Sequence, residues 1–79
     1  MLTEDIQKIV LQHARLDPGV AVGVDSDLYA LGMTSLATVN LMLALEDRYD
    51  IEFSDALLQR ETFASVAALV RAVEALKQA

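Results

Sequence analysis

Gly32-Met33-Thr34-Ser35-Leu36-Ala37-Thr38-Val39-Asn40-Leu41-Met42-Leu43-Ala44-Leu45-Glu46-Asp47-Arg48-Tyr49-Asp50-Ile51-Glu52-Phe53 contains a turn, a helix start and a helix end in one run. Gly32 admits a tight turn, two hydroxyl residues follow it, and apolar residues then recur at helical spacing until an acidic cluster closes the pattern. Ser and Thr are favoured at helix N-caps because a side-chain oxygen accepts a hydrogen bond from one of the first backbone N–H groups, which have no partner within the helix. The run therefore reads as loop, capped start and a helix over about Ser35 to Tyr49. On this local view Ser35 is a cap.

That helix is apolar on more than one side. Leu41, Met42, Leu45 and Tyr49 make one stripe, and Leu36, Val39 and Leu43 make another, offset around the axis. A helix apolar nearly all round is either enclosed or presents a second face to something else. With 79 residues the chain forms one domain, 1–79, with a single core, and such a core hardly encloses a helix on every side. Leu36, Val39 and Leu43 are thus expected to form an exposed docking strip beside Ser35; the alternative is that all three are core.

Towards the N-terminus, Thr3 is expected to cap a first helix, with Glu4 and Asp5 in its first turn, where negative charge suits the dipole. Leu2, Ile6, Ile9, Val10, His13 and Leu16 form its apolar stripe, with His13 partly buried and hydrogen-bonded near the helix end. The helix is expected to stop near Arg15 to Asp17, because Pro18 and Gly19 follow. A long connection then runs from Asp17 to Thr34. Alternating Val20, Val22 and Val24 could form a strand, but no other segment offers a partner, so a packed loop is expected. Asp25-Ser26-Asp27-Leu28 reads as a turn held by short polar side chains, with Leu28 and Leu31 tucked inward.

Towards the C-terminus, Asp50 to Ser54 breaks the pattern, and Ser54 or Asp55 is expected to cap a short third helix over Ala56 to Gln59, held by Leu57 and Leu58. Thr62 is then expected to cap a last helix in which Val66, Leu69, Val70, Val73 and Leu76 follow the three-four spacing. The fold expected is all-α: a small bundle of three main helices plus one short helix, with a long first loop.

Composition excludes several functions. Twelve Asp and Glu against six Lys and Arg give a net charge of −6, which disfavours nucleic acid and anionic membranes and suits basic partner proteins. There is no Cys, so neither a disulfide nor a thiolate metal site is available, and the single His13 builds no metal site alone. Residues 28–45 lack charge, yet Gly32, Thr34, Ser35, Thr38 and Asn40 interrupt them, so no membrane span is expected. Met1 to Asp5 lacks the basic and apolar regions of a signal peptide, and a cytoplasmic location is expected.

No catalytic residues are expected. A serine nucleophile needs an adjacent base and an oxyanion site, and no His or Lys lies near Ser35 in sequence. Gly-Met-Thr-Ser-Leu is not a Gly-x-Ser-x-Gly nucleophile elbow. Carboxylate pairs such as Glu46/Asp47 and Asp25/Asp27 lack calcium-loop spacing and read as solvated faces.

Leu31-Gly32-Met33-Thr34-Ser35-Leu36, with Leu45-Glu46, Tyr49-Asp50-Ile51 and Phe53 behind it, resembles the modification region of acyl and peptidyl carrier proteins. The resemblance implies a carrier-type bundle in which Ser35 bears 4′-phosphopantetheine, ending in a thiol that holds an acyl or aminoacyl group as a thioester. It implies partner contacts at Thr34, Leu36, Val39, Leu43, Glu46 and Asp47, with Glu52 and Asp55 adding to the steering charge. The partners implied are a phosphopantetheinyl transferase, an adenylating amino acid or acyl ligase, and a downstream acceptor enzyme, with the free protein a monomer. Thr34 stands where fatty-acid carriers have Asp, and Ala37 and Asn40 replace acids early in the helix. With Asp27-Leu28-Tyr29-Ala30 and Phe63-Ala64-Ser65, the chain looks most like small bacterial aminoacyl carriers loaded in trans by an amino acid:carrier-protein ligase. The alternatives are a fatty-acid or polyketide carrier and, from another class, a helical adaptor gripping a partner through the Leu36/Val39/Leu43 strip. Ser35 as a phosphorylation site in a regulatory bundle is a third.

Overall fold

Helix α2, Ser35–Tyr49, lies where the periodicity places it. Its inward face is Ala37, Leu41 and Leu45, each at most 1% exposed. At its end Asp50 adopts a left-handed conformation (φ 53°), and the N–H groups of Asp50 and Ile51 both bond back to the Glu46 carbonyl. These coordinates come from a computed structural model describing residues 2–16, 19 and 21–78.

Helix α1, Leu2–His13, buries Ile6, Ile9 and Val10 and packs against both α2 and the last helix. Thr3 lies inside its first turn, so the expected Thr3 cap is corrected: the helix already includes Leu2, and the capping position falls outside the described residues. Ala14 bonds back to the Val10 carbonyl at 2.9 Å, and Arg15 then turns left-handed (φ 53°), ending the helix two residues early. Asp17, Pro18 and Val20, which the stop signal and the valine alternation invoked, lie outside the described residues.

The loop that follows is a packed one. Gln7 Nε2 donates to the Val22 carbonyl at 2.7 Å, Ala67 N–H to the Val24 carbonyl at 3.0 Å, and Leu28 N–H to the Ala64 carbonyl at 2.8 Å. The turn chemistry is as read: Asp27 Oδ1 accepts from Tyr29 and Ala30 N–H, and Ser26 Oγ from Gly23 N–H. Leu28 is fully buried, whereas Leu31 reaches only a half-buried position.

Two short 3₁₀ turns, Asp55–Leu57 and Arg60–Phe63, replace the single short helix expected. Ser54 precedes the first without a side-chain cap, and of the leucine pair only Leu57 packs on the core, while Leu58 is half exposed. A three-residue turn has one inward side, so adjacent leucines divide. Phe63 is buried against Phe53, ring centroids 5.3 Å apart.

Helix α3, Val66–Lys77, buries Val66, Leu69, Ala72 and Val73. Its cap is Ser65, whose Oγ accepts from Ala68 N–H at 3.1 Å, and Thr62 lies inside the second 3₁₀ turn, which corrects the expected Thr62 cap. The reason is tertiary: the Ala64 carbonyl is taken by Leu28 N–H from the loop, so the helix begins beyond it.

Candidate functional site

The site is built by a sharp change of direction. Gly32 takes φ 111°, a left-handed value that favours glycine, and Met33 next to it is buried as an anchor. Thr34 is extended (φ −91°, ψ 169°), and its Oγ1 accepts from Ala37 N–H at 3.1 Å. Its carbonyl accepts from both the N–H and the hydroxyl of Thr38, each at 2.9 Å. Thr34 is therefore the cap, and the local view of Ser35 as the cap is corrected. Either hydroxyl satisfied the local pattern; the extended backbone at 34 decided between them.

Ser35 becomes the first helical residue, exposed, and among the described residues nothing hydrogen-bonds its hydroxyl. No acidic side chain occupies the first turn of α2, so the N–H groups and the positive end of the dipole there are not neutralised. An anionic substituent on Ser35 would sit where that field stabilises it.

Beside Ser35 opens a groove of about 390 Å³, floored by Val39, Met42, Leu58 and Phe63. Tyr29 and Arg60 close one wall: the Arg60 guanidinium lies 3.9 Å from the Tyr29 ring centroid, and the Tyr29 hydroxyl donates to the Arg60 carbonyl at 3.2 Å. Sequence reasoning missed this wall, because its partners are 31 residues apart.

The second stripe of α2 is exposed: Leu36 72%, Val39 47% and Leu43 53%. Leu58, 50% exposed, adds a fourth apolar residue across the groove. The acidic candidates separate. Asp47 is exposed, but Glu46 is half-buried and its Oε2 accepts from Phe53 N–H at 2.8 Å, tying the chain after α2 to the helix. Its carboxylate has a structural task that its position in an acidic cluster did not reveal.

The far end of α2 carries different chemistry. The Tyr49 hydroxyl is enclosed with no hydrogen-bond partner, and burial, reinforced by the Asp5 charge, raises its pKa above the ordinary value. Arg48 offsets part of this through its charge rather than through a hydrogen bond, its guanidinium lying 5.8 Å from the ring centroid. Arg48 also pairs with Asp5 at 3.9 Å, on a largely exposed surface where such a pair contributes little. His13 is half-buried, and no hydrogen bond to it is found among the described residues. Among those residues no three His, Asp or Glu group together to hold a metal ion, and no helix is long and apolar enough to cross a membrane.

An unengaged serine hydroxyl at an uncompensated helix N-terminus, opening on a groove, fits a tethered phosphodiester. Residues 4–73 match the family described as "Phosphopantetheine attachment site". The chain belongs to that family. It is 43% identical over 65 residues to an aminoacyl carrier protein of Agrobacterium fabrum, covering 81% of this chain and 78% of that relative. An acyl carrier protein of Caulobacter vibrioides is 37% identical over 54 residues, 68% of this chain and 69% of the relative. Among solved structures, the chain resembles the Agrobacterium tumefaciens carrier protein crystallised with an engineered Bradyrhizobium japonicum glycine:[carrier protein] ligase and ATP. The TM-score is 0.86 at 38% identity, over 95% of this chain and 99% of that one. A glycylated carrier protein bound to the Bradyrhizobium japonicum ligase matches with a TM-score of 0.78 at 27% identity, over 89% and 95% of the two chains. The carrier family's cofactor is 4′-phosphopantetheine, and carrier proteins are not themselves catalytic.

Proposed function

We propose that the single domain 1–79 carries an aminoacyl group as a thioester on a 4′-phosphopantetheine arm attached to Ser35, loaded in trans by an adenylating amino acid:carrier-protein ligase. The observation that supports this most is the division of labour at the start of α2: Thr34 supplies the cap, and the Ser35 hydroxyl is left exposed without a structural partner. The arm's thiol supplies the thioester chemistry that a chain without Cys lacks. Likeness to aminoacyl carriers and to a carrier seen glycylated favours an amino acid as cargo over a fatty acyl chain.

The chain's own residues hold and present. Thr34 fixes the first turn, the open N–H groups at the start of α2 would stabilise a phosphodiester on Ser35, and Leu36, Val39 and Leu43 form the strip on which a transferase, a ligase and a downstream acceptor enzyme dock. Asp47, with Glu46 adding charge from its bonded position, steers basic partner surfaces and acts mainly on encounter rate. The protein is itself no enzyme, works in the cytoplasm and is a monomer when free.

Intact mass after incubation with coenzyme A and a broad-specificity phosphopantetheinyl transferase tests the attachment residue. The wild type gains one phosphopantetheinyl group and Ser35→Ala gains none; modification of both would move the site elsewhere. Incubating the holo form with ATP, glycine and a glycine:carrier-protein ligase then tests the cargo class, a further gain of one glycyl residue being the expected result.

A further inference from the structure

We propose that the groove beside Ser35 is a resting seat for the chain's own 4′-phosphopantetheine arm, and that Arg60, stacked on Tyr29, is the residue that holds the arm there. The inference rests on Ser35 as the attachment residue and goes beyond it, because attachment alone requires no contact between arm and protein. Three observations support it.

The first is continuity. Ser35 itself lines the groove, so a substituent on its hydroxyl starts at the groove's edge and meets the floor at high effective concentration. Weak contacts then suffice to populate a docked state. The volume, about 390 Å³, lies within the ~300–1,000 Å³ of small-molecule sites.

The second is chemical complementarity. Val39, Met42, Leu58 and Phe63 offer an apolar floor to the arm's methyl and methylene groups. The arm also carries acceptor oxygens, on its phosphodiester and its two amide carbonyls. A guanidinium presents five N–H donors in a fixed fork and no acceptor, so it matches both kinds of oxygen. Arg60 is the cation among the groove's lining residues, in a chain whose net charge is −6. No ion pair of Arg60 occurs among the described residues, which leaves its donors available.

The third is preorganisation. The Tyr29 ring beneath the guanidinium and the Tyr29 hydroxyl on the Arg60 carbonyl hold both ends of the residue. Tyr29 is in turn fixed by the Asp27 turn and by Leu28 N–H on the Ala64 carbonyl. A side chain held this way loses less freedom on binding. The core below is closed, with Leu28, Leu41, Leu45, Val66 and Leu69 fully buried, so the seat is a surface groove the arm leaves when a partner enzyme docks.

The test begins with the mass measurement, which shows that one arm is on Ser35; failure there overturns the attachment reading and is recognisable as such. Backbone amide spectra of the apo and holo forms are then compared. The expected result is shifts at residues 35–39 and also at Tyr29 and residues 58–63. Arg60→Ala loses the second group of shifts while keeping the mass gain and a cooperative thermal transition of the apo form, and Arg71→Ala, which removes an exposed cation from α3, keeps both groups. In the wild type, independently of any variant, the arm's methyl protons give nuclear Overhauser contacts to Met42 and Phe63. A phosphorus resonance that moves on Arg60→Ala assigns the phosphodiester as the acceptor, whereas movement of ¹³C-labelled arm carbonyls assigns the amides. Holo shifts confined to the first turn of α2, without contacts to Met42 or Phe63, would overturn the proposal, as would apo-to-holo shift changes at Tyr29 and residues 58–63 that persist undiminished in Arg60→Ala.

Discussion

Helices α2 and α3 are built from similarly apolar sequence and use it differently. In α3 the apolar stripe goes inward: Val66, Leu69 and Val73 are fully buried, and Arg71, Glu74 and Lys77 take the solvent side. In α2 Ala37, Leu41 and Leu45 are buried and Met42, Ala44 and Tyr49 pack partly against the core, whereas Leu36, Val39 and Leu43 stay outside beside Ser35. Apolar surface beyond what the core can use is clustered next to a chemically available hydroxyl, and under the proposed function this is the face that partner enzymes meet. The same residue type is spent on the core in one helix and left in water in the other, where the proposed function assigns it to recognition.

The widest gap between the two helices is expected from truncating one leucine in each. Leu69→Ala is expected to cost about 2–5 kcal/mol in chemical denaturation, the cost of a cavity in a closed core. Leu36→Ala is expected to stay within about 0.5 kcal/mol, because its side chain is already in water. Its effect should appear in the rate of modification by the transferase. A comparable loss of stability in Leu36→Ala would make the strip part of the core and end the contrast.

A smaller effect sharpens how the α2 face is positioned. Gly32→Ala forces a Cβ into a left-handed conformation and is expected to cost about 1–3 kcal/mol, read as a lowered denaturation midpoint. The paired hydroxyls at the helix start separate next. Thr34→Ala removes the bond to Ala37 N–H and is expected to cost about 1 kcal/mol, while Ser35→Ala, which caps nothing, stays within about 0.5 kcal/mol yet abolishes modification. Equal costs would return Ser35 to a capping role.

The smallest effect lies at the opposite end of α2. Tyr49→Phe removes a hydroxyl that has no partner and should change stability near neutral pH by no more than about 0.5 kcal/mol. The folded chain holds this proton more tightly than an unfolded tyrosine of pKa 10.0. Stability from that difference is fully present below pH 10 and is lost as pH rises through the higher folded value, because the unfolded chain then releases the proton first. Urea midpoints measured from pH 9 to 11.5 should fall less steeply in Tyr49→Phe than in the wild type.

Much of this was legible in the residues. Periodicity placed α2 and the stripe of α3, short polar side chains announced the turn at Asp27, and the surplus of apolar positions on α2 pointed to an exposed strip. The caps were legible only as pairs: Thr34 or Ser35, and Thr62 or Ser65, satisfy one local rule equally well. Leu57 and Leu58 were indistinguishable for the same reason, and Glu46 looked like any acid in a cluster until its bond to Phe53 N–H assigned it.

Spacings of a few residues carry helical character, the positions of the apolar stripes, turn chemistry and the Gly-x-x-Ser signature ahead of an apolar helix, and composition carries the net charge. Where helices begin and which side chains wall the groove depend instead on residues brought together from far along the chain. Leu28 N–H on the Ala64 carbonyl sets where α3 can begin, and Tyr29 beneath Arg60 makes the wall of the groove beside Ser35. The first kind of information resides in covalently fixed i, i+3 and i+4 geometry. The second arises only once burial of the shared core holds separate segments at hydrogen-bonding and stacking distance.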